Sequence, residues 1–78
     1  HITIEIAQFE HTKLAAGLAA ELLEAFEPGI KEIKLIPSSG GAFEVTVNGR
    51  LLYSKHQNGR HAQPGEVKAL VAQFIKEG

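Results

Sequence analysis

Hydrophobic and polar residues follow two different rhythms along this chain. They alternate one by one in residues 2–6, 42–47 and 50–54, which is the pattern of strands with one buried face. Residues 30–36 carry apolar side chains on both faces, which is typical of an interior or helix-covered strand. The pattern therefore predicts four strands.

Two longer segments carry apolar residues at the three- and four-residue spacing of amphipathic helices. The first runs from about residue 12 to 27 and the second from about 63 to 77. Thr12 is predicted as the N-cap of the first helix, and Pro64 suits the first turn of the second. Gly17 costs about 1 kcal/mol relative to Ala inside a helix, so we interpret it as a point of close packing between helix and sheet.

The dipeptide Asn48-Gly49 joins the third and fourth strands. It is a strong signal for a type I′ hairpin turn, because both positions of that turn need a positive φ. A two-residue turn pairs Val47 with Arg50. Regular alternation from this pair then places Leu51 and Tyr53 on the face opposite to the apolar face of the hairpin.

The element order is β-α-β-β-β-α, and its first unit predicts two parallel strands joined by a right-handed crossover. Both helices then cover one face of a four-stranded mixed sheet. The fold class is α/β, in the form of an α+β two-layer sandwich, as a single domain over residues 1–78. The second face stays partly open, and its apolar residues suggest a dimer through the open sheet face.

The composition is that of an ordinary globular domain, with 44% hydrophobic and 22% charged residues. No apolar run approaches the ~20 residues that a membrane-spanning helix needs. The formal net charge is −1 and the basic residues are scattered, so no basic stripe is available to neutralise phosphates. We therefore expect a cytoplasmic protein with neither a membrane nor a nucleic-acid partner.

Cysteine is absent from the sequence, which leaves no disulfide and no thiolate nucleophile. The four histidines lack metal-ligand spacing and are expected to be exposed loop residues, so no metal site is predicted. The serines lack a nucleophile elbow, and the chain is too short to bury a hydrolase triad. No residue receives a catalytic role and no cofactor is expected.

Two loops are the best-placed candidates for binding. Residues 7–11 join the first strand to the first helix, where ligand sites of α/β sheets lie and where a helix N-terminus offers unpaired N–H groups. An exposed Phe9 would be a binding contact there, whereas a buried Phe9 would pack under the helix. The second loop either presents backbone N–H groups to a ligand or partner or serves only as a strand entry, and it consists of Ser38, Ser39, Gly40 and Gly41.

Four segments of the chain have sequences that are typical of one protein family. They are Leu18-Ala-Ala-Glu-Leu-Leu23, Leu35-Ile-Pro-Ser-Ser-Gly-Gly41, Phe43-Glu-Val45, and Val47-Asn-Gly-Arg50 with the following Ser54-Lys55 and Gly59-Arg60. Together they resemble the selenoprotein W-like (Rdx) family of small thioredoxin-like proteins, over essentially the whole chain. The resemblance implies a thioredoxin-like fold, and a function in thiol or selenol redox homeostasis with glutathione or a protein as the partner.

The family places Cys-x-x-Cys or Cys-x-x-selenocysteine directly after the first strand. The corresponding stretch of this chain is Ile6, Ala7, Gln8, Phe9 and Glu10, which holds neither residue. No catalytic residue of an oxidoreductase therefore carries over. Two interpretations stay open: a redox-inactive protein-binding module of the same fold, or a motif residue missing near Ile6-Ala7, where the spacing to the helix is a residue shorter than the family pattern.

Overall fold

The computed structural model describes residues 2–77 and contains the predicted elements together with one additional short helix. The predicted domain also includes His1 and Gly78, which lie outside the described residues. No helix in the described part of the chain is long and apolar enough to cross a membrane. The elements are β1 (Ile2–Gln8), α1 (Thr12–Phe26), β2 (Ile30–Pro37), β3 (Phe43–Val47), β4 (Arg50–Ser54), α2 (Lys55–Asn58) and α3 (Glu66–Glu77).

The four strands form one mixed sheet in the order β2-β1-β3-β4. β1 and β2 are parallel, as the crossover predicts, and β3 runs antiparallel to both β1 and β4. β1 lies inside the sheet, so that Ile6 stands opposite Leu35 of β2 on one side and Val45 of β3 on the other. The end of β1 is thus held from both sides, which positions the connection that follows it.

The core lies between one face of the sheet and the two long helices. The isoleucines of β1 face this core, as predicted, and α1 and α3 both contribute to it. Burying each large side chain contributes roughly 1.5–3 kcal/mol, so this layer is the main source of stability. The largest fully buried side chains are Tyr53, Phe43, Ile4, Ile6, Leu22, Val45, Val47 and Val71.

The β3–β4 hairpin contains a bulge that regular alternation does not predict. Val47 stands opposite Arg50, as expected, but the register then shifts and Val45 stands opposite Tyr53. The bulge accommodates an extra residue on β4 and reverses the side-chain alternation beyond it. Leu51 therefore stays exposed on the open face, whereas Tyr53 turns into the core and is only 1% exposed. The prediction that Tyr53 lies on the open face is wrong.

The open face of the sheet is polar in its middle. Its exposed large apolar side chains, Ile36 and Leu51, lie on the two outer strands. The inner strands β1 and β3 place on this face the polar residues Thr3, Glu5, Glu44 and Thr46. The dimer through this face stays a prediction, and the polar middle of the face does not favour it.

β2 is an edge strand, and the predicted helix cover extends only to Ile30 and Ile33. A register shift at its start sets Lys31 apart, so that both of these isoleucines pack against the core. Towards the C-terminal end of β2, Leu35 and Ile36 are 44% and 38% exposed. The strand therefore presents a largely open border of the sheet.

The helices differ from the sequence interpretation at two points. Gly17 does not approach the sheet: it is exposed, and a Cβ atom built on it meets nothing within 4 Å. α3 begins at Glu66, so Pro64 precedes the helix and does not occupy its first turn. The interpretation of Gly17 as a packing contact is therefore wrong, and its place in the helix needs another reason.

The short helix α2 follows β4 without a connecting loop. Its N-cap is Ser54, whose Oγ accepts a hydrogen bond from the backbone N–H of Gln57 at 3.4 Å. The same hydroxyl donates to Oε2 of Glu44 at 3.0 Å. One serine thus ends the sheet and starts the helix, which fixes the chain direction after β4.

Candidate functional site

The place of the family's redox motif is a strand end followed by a tight connection. β1 continues to Gln8, so two of the five residues predicted as a loop, Ala7 and Gln8, belong to the strand. Ile6 is fully buried, and Ala7 and Gln8 pair with strands on both sides. Only Phe9, Glu10 and His11 remain between β1 and α1. The predicted loop is therefore shorter and more rigid than its sequence indicates.

The connection contains one strained residue, Glu10, and is held by hydrogen bonds from the Gln8 side chain. Glu10 adopts a φ of 65°, which costs a non-glycine residue roughly 1–2 kcal/mol. The Gln8 side chain supports it, because its Oε1 accepts the backbone N–H of His11 at 2.8 Å and its Nε2 lies 3.4 Å from Oγ1 of Thr12. The N-cap of α1 is His11, with no side-chain capping bond, so the prediction of Thr12 as the N-cap is wrong.

The second predicted loop is a tight turn built on two glycines. The backbone N–H of Ala42 donates to the carbonyl of Ser39 at 3.3 Å, which closes the turn around Gly40 and Gly41. Their φ values of 65° and 71° lie in the region that favours glycine. The Lys55 ammonium of α2 donates to the carbonyl of Gly41 at 3.3 Å and supports the turn.

Two backbone hydrogen bonds join the two predicted segments. Ser38 N–H donates to the carbonyl of Gln8 at 2.8 Å, and Phe9 N–H donates to the carbonyl of Ala42 at 2.9 Å. Both segments lie at the carboxyl ends of the parallel strands, where α/β sheets bind their ligands. The structure therefore brings the motif position and the serine-glycine turn together.

The exposed part of this region is named the loop surface, and it consists of Phe9, Glu10, Ser38, Ser39 and Gly40. Phe9 is 37% exposed, so its ring is not hidden under α1. Gly41 is half-buried and supports the turn from beneath. An accessible aromatic ring and several hydrogen-bonding groups thus share one end of the sheet.

A cluster of aromatic rings beside the start of α1 has no counterpart in the sequence analysis. The rings of His11 and His61 meet edge to face with centroids 4.2 Å apart, and the His61 ring lies 6.0 Å from that of Phe43. Burial lowers the pKa of His61 below 6.5, and the charges of His11 and Lys55 lower it further. Within residues 2–77, Nδ1 of His61 is buried without a hydrogen-bond partner. Both histidines are half-buried, so the expectation of exposed loop histidines is wrong for this pair.

The segment that carries His61 is fixed from two sides. The Arg60 guanidinium donates to both carboxylate oxygens of Glu66, at 2.8 and 3.0 Å. This pairing, with the Gln63 N–H on the same carboxylate, lowers the pKa of Glu66 to about 2. On the core side, the Tyr53 hydroxyl donates to the carbonyl of Arg60. These contacts hold the His61 ring against His11.

The side chains of the site are hydrogen-bonding groups and one accessible aromatic ring. Cysteine is absent from the whole sequence, and the motif position holds Gln8, Phe9 and Glu10 instead. In the described part of the chain, no three His, Cys, Asp or Glu side chains lie close enough together to hold a metal ion. The arrangement offers hydrogen bonds and an apolar contact but no thiol.

The parallel β-α-β crossover and the mixed sheet define a small thioredoxin-like protein, whose sequence contains no cysteine. Residues 3–73 match the model of the Rdx family, and the chain therefore belongs to the Rdx family.

Two solved structures share this fold over almost the whole chain. A selenoprotein W-related protein from Vibrio cholerae superposes with a TM-score of 0.88 at 30% identity, covering 95% of this chain and 96% of that one. A protein from Bordetella parapertussis gives a TM-score of 0.85 at 28% identity, with 94% and 96% coverage. A search of curated proteins finds no match. The family and the fold are thus shown together.

Proposed function

We propose that this chain is a redox-inactive protein-binding module of the Rdx family that engages a polypeptide partner through the loop surface. The observation that carries the proposal is the exposed Phe9, which occupies the redox-motif position of a chain without cysteine. The fold of the family is retained at the end of β1, while the thiol or selenol of the family motif is absent.

Phe9 has the properties of an anchor residue. Its ring is accessible, and its backbone is fixed by the hydrogen bond to Ala42. Aromatic residues on rigid backbone dominate many interfaces, because they bury a large area at a small cost in conformational entropy. The partner therefore needs an apolar side chain that packs against this ring.

The serine-glycine turn supplies the polar half of the surface. The exposed Ser38 and Ser39 offer hydroxyl groups that both donate and accept hydrogen bonds. Gly40 has no side chain, so a partner backbone is able to approach closely. An extended peptide segment with one apolar side chain and free backbone groups satisfies both halves of the loop surface.

Membership of the family supports a second candidate, thiol or selenol redox chemistry with glutathione as a partner. It requires a nucleophile that the sequence does not supply. The intact mass of the protein, with and without iodoacetamide, separates the two candidates. We expect the mass of the 78 residues with no alkylation; a heavier protein that reacts would replace the binding proposal with the redox one. A cytoplasmic location stays a prediction of the sequence.

The binding proposal is tested by selecting peptides from a random display library on the immobilised protein. We expect enriched peptides with an apolar anchor, and a loss of affinity of about thirtyfold or more with Phe9→Ala, the effect of removing a dominant aromatic contact. Leu51→Ala removes an exposed apolar side chain of similar accessibility from the open face and is the matched control. Failure to enrich any peptide, or equal affinity for the wild type and Phe9→Ala, would contradict the proposal.

A further inference from the structure

Two residues of α1, Gly17 and Lys13, are unfavourable for the helix of a single chain. Gly17 lies in the middle of the helix without a close contact, at a cost of about 1 kcal/mol relative to Ala. Lys13 lies in the first turn, where the helix dipole disfavours a positive charge. Among residues 2–77, neither Lys13 nor Glu21 takes part in an ion pair. The helix surface thus carries features that do not stabilise the isolated chain.

Lys13, Gly17 and Glu21 line the same groove between α1 and the start of α3. The groove has a volume of about 310 Å³ and reaches down to Phe43. Leu14 forms part of its wall and is 44% exposed. A second depression further along α1 shares Gly17 and Glu21 with it. The central part of α1 is therefore an accessible face with an apolar border.

Two exposed charges on this face lie symmetrically about the glycine, whereas Glu24, which lines the second depression, has no basic counterpart. Lys13 lies four residues before Gly17 and Glu21 lies four residues after it. At a rise of 1.5 Å per residue the two charged residues are separated by about 12 Å along the helix axis. If two such helices cross antiparallel at Gly17, Lys13 of each chain faces Glu21 of the other. At these two positions the face is thus complementary to itself, as a two-fold symmetric interface requires.

We propose that α1 docks antiparallel against α1 of a second copy of this chain, with the crossing point at Gly17. Residues four apart form the ridges of a helix, and two sets of such ridges interlock at a crossing angle of about 50°. Ala16 and Ala20 are exposed on either side of Gly17, so the helix axes approach to the lower end of the usual distance of roughly 8–10 Å. Leu14 loses its exposure to water in this arrangement.

The size of the face determines the strength of the dimer. α1 has 15 residues and is about 22 Å long, which is short for an interface between stable partners. Its two exposed ion pairs are weakened by salt. The dimer is therefore weak. The fraction of dimeric protein increases with protein concentration, and the dimer is most stable at low ionic strength. It is distinct from a dimer through the open sheet face, whose middle is polar.

Analytical ultracentrifugation from micromolar to millimolar protein, at low and high salt, tests the proposal. We expect wild-type dimerisation that weakens with salt. Lys13→Glu and Glu21→Lys each turn two attractive contacts into repulsive ones, and each lowers the association constant by about tenfold or more. The double variant Lys13→Glu/Glu21→Lys restores complementarity and regains dimerisation, and an equimolar mixture of the two single variants forms a mixed dimer.

Gly17→Gln provides an independent steric test, because a Cβ atom at this position meets nothing within 4 Å in the monomer and the longer side chain blocks the crossing point. Lys31→Glu on β2 reverses a charge away from α1 and leaves the association constant unchanged. A wild-type protein that stays monomeric throughout the series would overturn the proposal. Association that tolerates the single charge reversals, or that is abolished by Leu51→Glu on the open face, would also overturn it. The same holds if the double variant associates no more strongly than the single variants.

Discussion

The imidazole rings of His11 and His61 meet edge to face, with their centroids 4.2 Å apart. This contact joins the N-cap of α1 to the segment between α2 and α3, which is 50 residues away along the chain. Protonation of His61 places a positive charge in this contact and close to Lys55. The start of α1 and the start of α3 are thus joined by a contact that contains a titratable group.

The stability of the protein is expected to decrease as the pH falls below 6.5. The folded-state pKa of His61 lies below its ordinary value of 6.5 through burial and the nearby His11 and Lys55. The unfolded chain therefore binds the proton more readily, and stability declines from pH 6.5 down to the folded-state pKa, below which the loss from this group is complete. Urea unfolding between pH 7.5 and pH 5 measures the slope.

Replacing His61 shows whether this residue causes the pH dependence of the unfolding free energy. His61→Gln removes the titration, so the pH dependence of its unfolding free energy becomes flatter even if the variant is less stable at every pH. His56→Gln changes an exposed histidine of α2 and keeps the wild-type slope. Equal slopes for His61→Gln and the wild type would show that another group is responsible.

Arg60→Gln is expected to raise the pKa of Glu66 from about 2 towards 4.5. The Arg60 hydrogen bonds are the largest cause of the depression, and the Gln63 N–H keeps the value in the variant somewhat below 4.5. Because the folded-state pKa is depressed, the stabilisation is present above pH 4.5 and is lost as the pH falls towards 2. A carboxyl-carbon NMR titration measures the value, and Lys68→Gln should leave it unchanged. Titration of Glu66 near 4.5 in the wild type would contradict the pairing.

Two glycine substitutions are expected to change stability in opposite directions. Gly17→Ala stabilises the monomer by up to about 1 kcal/mol, because the helix gains a better former and the methyl group meets nothing within 4 Å. Gly40→Ala destabilises it by roughly 1–2 kcal/mol, because its φ of 65° is unfavourable for alanine. Chemical denaturation at low protein concentration compares the two. A destabilising Gly17→Ala would mean that α1 is packed more closely than the structure has it.

Tyr53→Phe is expected to destabilise the fold by about 0.5–1.5 kcal/mol, the net contribution of one hydrogen bond. The change keeps the buried ring and removes the bond from its hydroxyl to the carbonyl of Arg60. Leu51→Ala is the neighbouring control, and as an exposed change it should stay within about 0.5 kcal/mol of the wild type. An equally small effect of Tyr53→Phe would mean that water replaces the lost donor.

The architecture of this protein follows from local signals in its sequence. The alternation in β1 and the Asn48-Gly49 turn define their elements without tertiary information, and the crossover rule places the ends of β1 and β2 side by side. The proximity of Phe9 to the serine-glycine turn was predictable for that reason. The face on which Tyr53 lies was not predictable, because the pattern of apolar residues in β4 is compatible with a regular register and with a bulge.

The aromatic cluster was beyond sequence reasoning for a different reason. His11, Phe43 and His61 share no spacing rule and meet only because the loop after α2 folds back over the start of α1. The capping of α1 shows the same limit. Thr12 has a typical N-cap side chain. The backbone N–H of His11 donates to the Gln8 side chain, however, and the N-cap of α1 is His11.

The exposed border formed by β2 carries features that oppose the addition of a strand from another molecule. An unpaired edge strand with apolar residues is a template for adding a strand from another molecule. Lys31 and Lys34 place charges along β2, and Pro37 at its end lacks the N–H that a new neighbour would use. The border of the sheet is thus protected against the growth of cross-β aggregates, although Leu35 and Ile36 lie open on it.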